Sequence, residues 1–438
     1  MKRLAVPVLM ILLWAIPAAA QDVGTRNRLP NGLTVLVVER PAIPIVIVRA
    51  LVRAGAVLDP SEKAGLANLT AEVLTRGTKS RSATEIDEAI EFVGGSLGSD
   101  GGRDGAVVAV SILKKDLALG LDLLADILMN PSFSPDEVRR KIREVQADLR
   151  RSEERPEVVA GRAFHELLFP GHAYGRPVEG TLASLGKIGR DDLADFHARH
   201  YRPQETILAV VGDLKRDEIV KEIEKRLGGW PRGASPETTV PRAPSVLKPE
   251  RKLIHRDLTQ ATILLGHSSI GRDHPDFYPL LVANYVLGGG STSRLYRRIR
   301  EDLGLVYYVG SGLSPGRYGN FFEISLQTKN QSARQAIDEA KLAIRTLRDQ
   351  GPTPDELTLA KAYLIGSFPL RMDTNAKLAD LLLTWEVNAM GLDYPTRFRQ
   401  LIERVTAEDI KRIATTYFLP DALTTVVVGN LAQAGLQP

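Results

Sequence analysis

Gly65-Leu66-Ala67-Asn68-Leu69-Thr70-Ala71-Glu72-Val73-Leu74-Thr75-Arg76-Gly77-Thr78 is the stretch on which the reading of this 438-residue chain turns. Its apolar residues recur at helical spacing, so a helix is expected over 65–75. Positions 68, 71 and 72 then share one face, one turn apart, and carry an amide, a methyl group and a carboxylate. Asparagine is a poor metal ligand, alanine cannot accept a proton, and glutamate offers only oxygen.

The frame around those positions resembles the active-site helix of the M16 (pitrilysin, insulinase, mitochondrial processing peptidase) metallopeptidases, G-x-A-H-x-x-E-H-x-x-x-x-G-T. Gly65, Ala67, Gly77 and Thr78 match it, whereas Asn68, Ala71 and Glu72 replace its three chemical residues. In the family pattern two imidazoles at i and i+4 share a Zn²⁺, and the glutamate between them activates a water. A third, acidic ligand follows in a later helix, and the run Ala147-Asp148-Leu149 through Glu154-Arg155-Pro156 puts Asp148 at that position. The resemblance therefore implies a chain that binds no metal of its own. An oxygen set of Asn68, Glu72 and Asp148 falls short of what a hard cation takes.

A second element points the other way. Gly288-Gly289-Gly290-Ser291-Thr292-Ser293-Arg294-Leu295, followed by Arg300 and, seven residues on, Tyr307, looks like the G-G-G-x-x-S-R-L…R-E-x-x-G-L-x-Y element of M16 proteins. There an arginine and a tyrosine complete the active site, binding substrate and stabilising the tetrahedral intermediate. The resemblance gives that role to Arg300 and Tyr307, with Gly288, Gly289, Gly290 and Arg294 as substrate contacts. A guanidinium and a phenol are both competent donors to a developing oxyanion. The plainer alternative is a solvated Arg300 and a Tyr307 packed in the core. The glycines lack the Lys-Ser/Thr of a phosphate-binding loop.

Around these motifs the chain divides. Residues 229–250 carry Pro231, Pro236, Pro241, Pro244 and Pro249 with little apolar periodicity, and read as a linker between domains at 21–228 and 251–438. The halves echo each other: Ser134-Pro135-Asp136-Glu137 recurs as Thr353-Pro354-Asp355-Glu356, and Asp192 through Gly212-Asp213-Leu214 recurs as Asp409 through Gly429-Asn430-Leu431, at offsets of 219 and 217 residues. Such long offsets indicate a duplicated domain, not a solenoid. Strands are expected at Leu33–Glu39, Pro44–Arg53, Ala106–Leu113, Ile207–Val211, Ala261–Leu265, Phe321–Thr328 and Thr424–Val428. Helices are expected at Ala83–Val93, Leu117–Met129 and Pro135–Arg151, the last capped by Ser134. The fold class is α+β, two tandem homologous α/β sandwich domains, which the resemblance identifies with the M16 (LuxS/MPP-like metallohydrolase) type. The glycine-rich run Gly94–Gly105 reads as a mobile hairpin; in M16 relatives this region carries an edge strand on which substrate peptide pairs, so the resemblance leaves peptide binding through its backbone groups as the alternative. His197 and His200 read as a solvated helix face, and His165 and His172 as packing residues.

Lys2 and Arg3, an apolar run to Ile16 and Ala18-Ala19-Ala20 form a signal peptide over residues 1–20, too short and proline-broken for a stable membrane anchor. The expected location is the periplasm or beyond. With no cysteine the chain forms no disulfide. The formal charge of +4 falls to +2 without Lys2 and Arg3, too slight an excess for a nucleic-acid partner. The asymmetry between a disabled metal helix and a preserved Arg/Tyr element suggests the non-zinc-binding subunit of a heterodimeric peptidase. Its partner would be an M16 homologue bearing H-x-x-E-H and the zinc, with peptides as substrates. The alternatives are a scaffold or peptide-binding protein without catalytic part, and a hydrolase using an oxygen-ligated metal.

Overall fold

The computed structural model describes residues 22–234, 240–245 and 248–436. The segment expected to be a signal peptide and parts of the expected linker lie outside them. The first sheet contains β1 (Thr25–Arg28), β2 (Thr34–Glu39), β3 (Ile45–Val52), β4 (Ser96–Gly101), β5 (Ala106–Leu113) and β6 (Thr206–Gly212), in the order β1-β2-β6-β3-β5-β4. The second contains β7 (Arg251–His255), β8 (Gln260–Ser268), β9 (Val306–Pro315), β10 (Asn320–Lys329) and β11 (Thr424–Gly429), in the order β7-β11-β8-β10-β9. Apart from the added β1, the two orders are the same. In each, one parallel pair, β2–β6 or β7–β11, joins an otherwise antiparallel sheet. The internal echo is thus a duplicated topology.

Both sheets are buried on two faces, and the halves cover each other. Along β2 and β6, Val35, Val37, Leu208 and Val210 face helices of the first half, while Leu36, Val38, Ile207 and Val211 join a core shared with the second. That opposite face is covered by the helix Asn375–Val387, which packs on β6 and β3. Reciprocally, the helix Pro156–Leu168 of the first half packs on β11 and β8, setting Phe164 and Leu168 against Leu264, Val426 and Val428. A side chain at Gly266 would come within 2.7 Å of the Phe164 ring, so this contact needs glycine there. Arg49–Asp380 and Arg26–Glu386 ion pairs, at 3.1 and 2.8 Å, cross the same boundary.

Every strand and helix expected from the sequence is present to within a few residues. The strands not foreseen, β1, β4, β7 and β9, lie at sheet edges, where the pattern of alternating apolar residues weakens. Gly94–Gly105 is not simply a mobile hairpin: its Ser96–Gly101 part is edge strand β4, paired in register with β5. Ser134 makes no side-chain cap, whereas its echo Thr353 forms a full capping box with Glu356. Trp230, at 3% exposure, belongs to the first half's core, so the linker's opening residues are anchored there. Among the described residues no helix is long and apolar enough to cross a membrane.

Candidate functional site

The helix Leu66–Val73 starts at Gly65, whose φ of 98° favours glycine. Buried Asp59 holds this start: its two carboxylate oxygens accept from the Gly65 and Ala67 amides, each at 2.8 Å. Burial pushes the Asp59 carboxyl up to about 7, against the opposing pull of those amides. No pattern in the sequence singled this residue out.

Asn68 is buried under β4, where a side chain on Gly101 would meet the Asn68 Cα at 2.5 Å. Its amide donates to Glu72 Oε1 at 2.9 Å, and the other Glu72 oxygen faces Lys141 Nζ at 3.4 Å. Lys141 also pairs with Glu144 at 3.0 Å. Ala71 is fully buried. Asp148 lines the same cleft as Glu72, but it is 64% exposed and its carboxylate pairs with Arg151. Zinc does not fit this arrangement, and neither does the oxygen set of Asn68, Glu72 and Asp148. An ammonium group already neutralises Glu72, the Asn68 amide is spent on the same carboxylate, and a further cation would be repelled by Lys141. Lys141 was missed in the sequence, although it precedes Asp148 by seven residues, two turns along one helix face.

In the second half, Arg300 and Tyr307 are brought together. Arg300 lies in the segment Tyr296–Asp302, a π-helical turn in which the Leu303 amide reaches back five residues to Arg298 O. Such widened turns recur at functional sites. The Arg300 guanidinium sits 4.9 Å from the Tyr307 ring centre and 4.8 Å from that of Tyr296, four residues earlier and likewise unforeseen. Tyr307 is 82% exposed, which excludes the core-packing alternative. Among the described residues Arg300 has no carboxylate partner, and its ring contacts stay between residues 296 and 307, without reaching Asn68 or Glu72.

The neighbouring motif residues pack. Gly288 is buried, and a side chain there would strike Ser311 of β9 at 2.5 Å; side chains on Gly289 and Gly290 would strike Tyr285 at 2.7 and 2.8 Å. Arg294 forks onto both oxygens of Glu356 at 2.8 Å and donates to Gly351 O at 2.7 Å. This geometry ties the Arg294 guanidinium to the capped start of the helix Pro354–Ser367 and gives its substrate-contact reading no support.

The histidines pack too. His197 is partly buried, not solvated: its ring stacks on Tyr201 at 4.7 Å and meets Phe133 edge-on at 5.6 Å, while Nε2 donates to Leu128 O at 2.9 Å. Burial, with Arg202 and Lys79 nearby, pushes it down to about 4. His165, stacked on Phe169 and edge-on to Phe321, is likewise pushed down to about 4 by burial and by Arg103. A histidine whose folded value lies below its unfolded one costs nothing above about pH 6.5, and it costs stability progressively as pH falls toward 4. Between pH 6.5 and 4 the unfolding free energy of H197Q is expected to fall less steeply with acidification than that of the parent, by about one proton's slope. Denaturant titrations across that range measure the difference, and identical slopes would contradict the burial of His197.

The chain is similar to known proteins along most of its length. Residues 34–182 match the family model described as Insulinase (Peptidase family M16), and residues 187–364 match Peptidase M16 inactive domain. A protein of Mycobacterium leprae named an uncharacterized zinc protease is 30% identical over 407 residues, covering 90% of each chain. A non-peptidase homologue from Helicobacter pylori is 25% identical, covering 98% of this chain and 99% of its own. The crystal structure of a peptidase M16 inactive domain from Pseudomonas fluorescens superposes with a TM-score of 0.87 at 26% identity, covering 93% of this chain and 97% of its own.

Proposed function

This chain belongs to the insulinase (M16) peptidase family, and from that premise we propose that it is the non-zinc-binding subunit of a two-chain peptidase. Its partner is an M16 homologue carrying H-x-x-E-H, which supplies the metal chemistry. This chain supplies Arg300 and Tyr307 to the peptide held between them, and the pair works in the periplasm. The observation that carries the reading is the contrast between two sites. The Glu72 carboxylate is neutralised internally by Lys141, whereas the Arg300 guanidinium lies against two rings with no carboxylate partner among the described residues, beside an exposed phenol.

Cation–π contacts orient a guanidinium without using its N–H donors, which remain free for a carbonyl oxygen as charge develops on it. The edge strand β4 adds a row of outward backbone groups on which an extended peptide can pair. The test is hydrolysis of a fluorogenic peptide by the co-expressed pair. The scaffold alternative, favoured by the relative named a non-peptidase homologue, predicts a pair whose turnover ignores Arg300 and Tyr307.

A further inference from the structure

Beside the degenerate helix lies a cleft of about 740 Å³. One wall is the end of the helix Pro135–Ser152. The other is a single face of the exchanged helix Pro156–Leu168, continued from its cap: Arg155, Val158, Arg162 and His165, at spacings of three and four residues. Gly161 keeps the middle of that face open, since a side chain there would meet nothing within 4 Å.

Five arginines line this space against three acids, Glu72, Asp148 and Glu179. Glu72 is taken by Lys141, Asp148 by Arg151, and Arg155 by Glu157 outside the cleft. Arg103, Arg162 and Arg176 have no carboxylate within ion-pair distance among the described residues. Each spends one donor on a neutral oxygen: Arg103 on Tyr174 O, Arg162 on Ser152 Oγ at 2.9 Å, and Arg176 on Asp59 O at 3.0 Å. Arg176 Nε is buried with no acceptor among the described residues. Asp104 and Glu179 near Arg103, and Asp59 near Arg176, offset part of this charge without ion-pairing with it. Partly buried guanidinium groups without a paired carboxylate are costly, and a concave wall with an excess of positive charge attracts an anion. Guanidinium forks match carboxylates in shape as well as charge. The volume suits a short peptide segment better than a lone inorganic ion, and Val145, Leu149 and Pro177 offer apolar contact for side-chain stems.

We propose that this cleft binds an acidic stretch of peptide, its carboxylates engaged by Arg103, Arg162 and Arg176, and that the chain thereby selects acidic substrates. The substrate role rests on the two-chain peptidase reading; the binding itself does not. Fluorescence anisotropy of the isolated chain with a labelled decapeptide rich in Asp and Glu is the test, against Lys/Arg-rich and Ser/Gly-rich peptides of equal length. The acidic peptide is expected to bind at least about 10-fold tighter than either control and to weaken as salt rises. R162Q, which within the fold forfeits only the bond to Ser152, should weaken it several-fold, and R103Q/R162Q by about 10-fold or more, while R162K, with the charge but not the fork, recovers only part of the affinity.

Free and amidated C-termini binding alike assign the contact to side-chain carboxylates, and a strong preference for the free terminus assigns it to the terminal carboxylate; either supports the site. Equal binding of the basic or neutral peptide, displacement by inorganic phosphate at concentrations matching the peptide's, or indifference of folded R162Q would overturn it. Failure to bind while the reconstituted pair still cleaves in an Arg300-dependent way removes the cleft and leaves the peptidase reading. Binding that persists when the pair is inactive does the reverse.

Discussion

R300A is expected to lower kcat/KM of the reconstituted pair by about 10²- to 10³-fold, the usual cost of one oxyanion donor. The loss should fall mainly on kcat, because the charge the guanidinium meets develops only in the transition state. Y307F keeps the ring under Arg300 and removes only the hydroxyl, so any loss it causes belongs to the phenol and not to the cation–π contact. R300K retains charge but not the fork and should recover little. None of these should unfold the chain: Tyr307 is 82% exposed, and an exposed cation–π contact is worth only about 0.5–1 kcal/mol. Activity of the purified pair and melting of the isolated variant therefore separate catalysis from stability. Unchanged turnover in R300A and Y307F would remove the proposed role.

F164A should destabilise the chain by about 3–5 kcal/mol, the range for deleting a buried phenylalanine. Phe164 is 1% exposed, packs edge-on to Phe321 at 6.0 Å and sits over Gly266. Its location makes the prediction specific. It belongs to the first half but is core to the second sheet, so the defect should weaken both halves together. Trp230 in the first half's core and Trp385 on the helix Asn375–Val387, at 3% and 1% exposure, are natural reporters. Fluorescence of single-tryptophan variants should give coincident denaturant midpoints, shifted together by F164A. If Trp230 kept its midpoint while Trp385 lost stability, the halves would be independent domains joined by a linker.

That interlocking was not legible in the sequence. The apolar, β-branched runs of β2, β3 and β6 announced strands, but nothing in them says which helix lies on the far side. The helices at 156–168 and 375–387 were not among those read from the sequence, and only packing shows that each lies on the other half's sheet. One part of the candidate site was legible through the resemblance: Arg300 and Tyr307 lie against each other, as the matched element implied. Lys141 was missed because an exposed-looking lysine on a charged helix is the commonest of patterns, and its role appears only when Glu72 of another helix faces it. Arg294 and Gly288 carried the same motif, and tertiary packing, an ion pair with Glu356 and contact with β9, gave them structural work.

Metal content and peptide hydrolysis, measured together on the isolated chain and on the co-purified pair, test the central claim most directly. The account predicts far less than one zinc per chain and no cleavage for the isolated protein, with chelator-sensitive cleavage and about one zinc per heterodimer for the pair. Stoichiometric zinc in the isolated chain, with unaided hydrolysis, would contradict it.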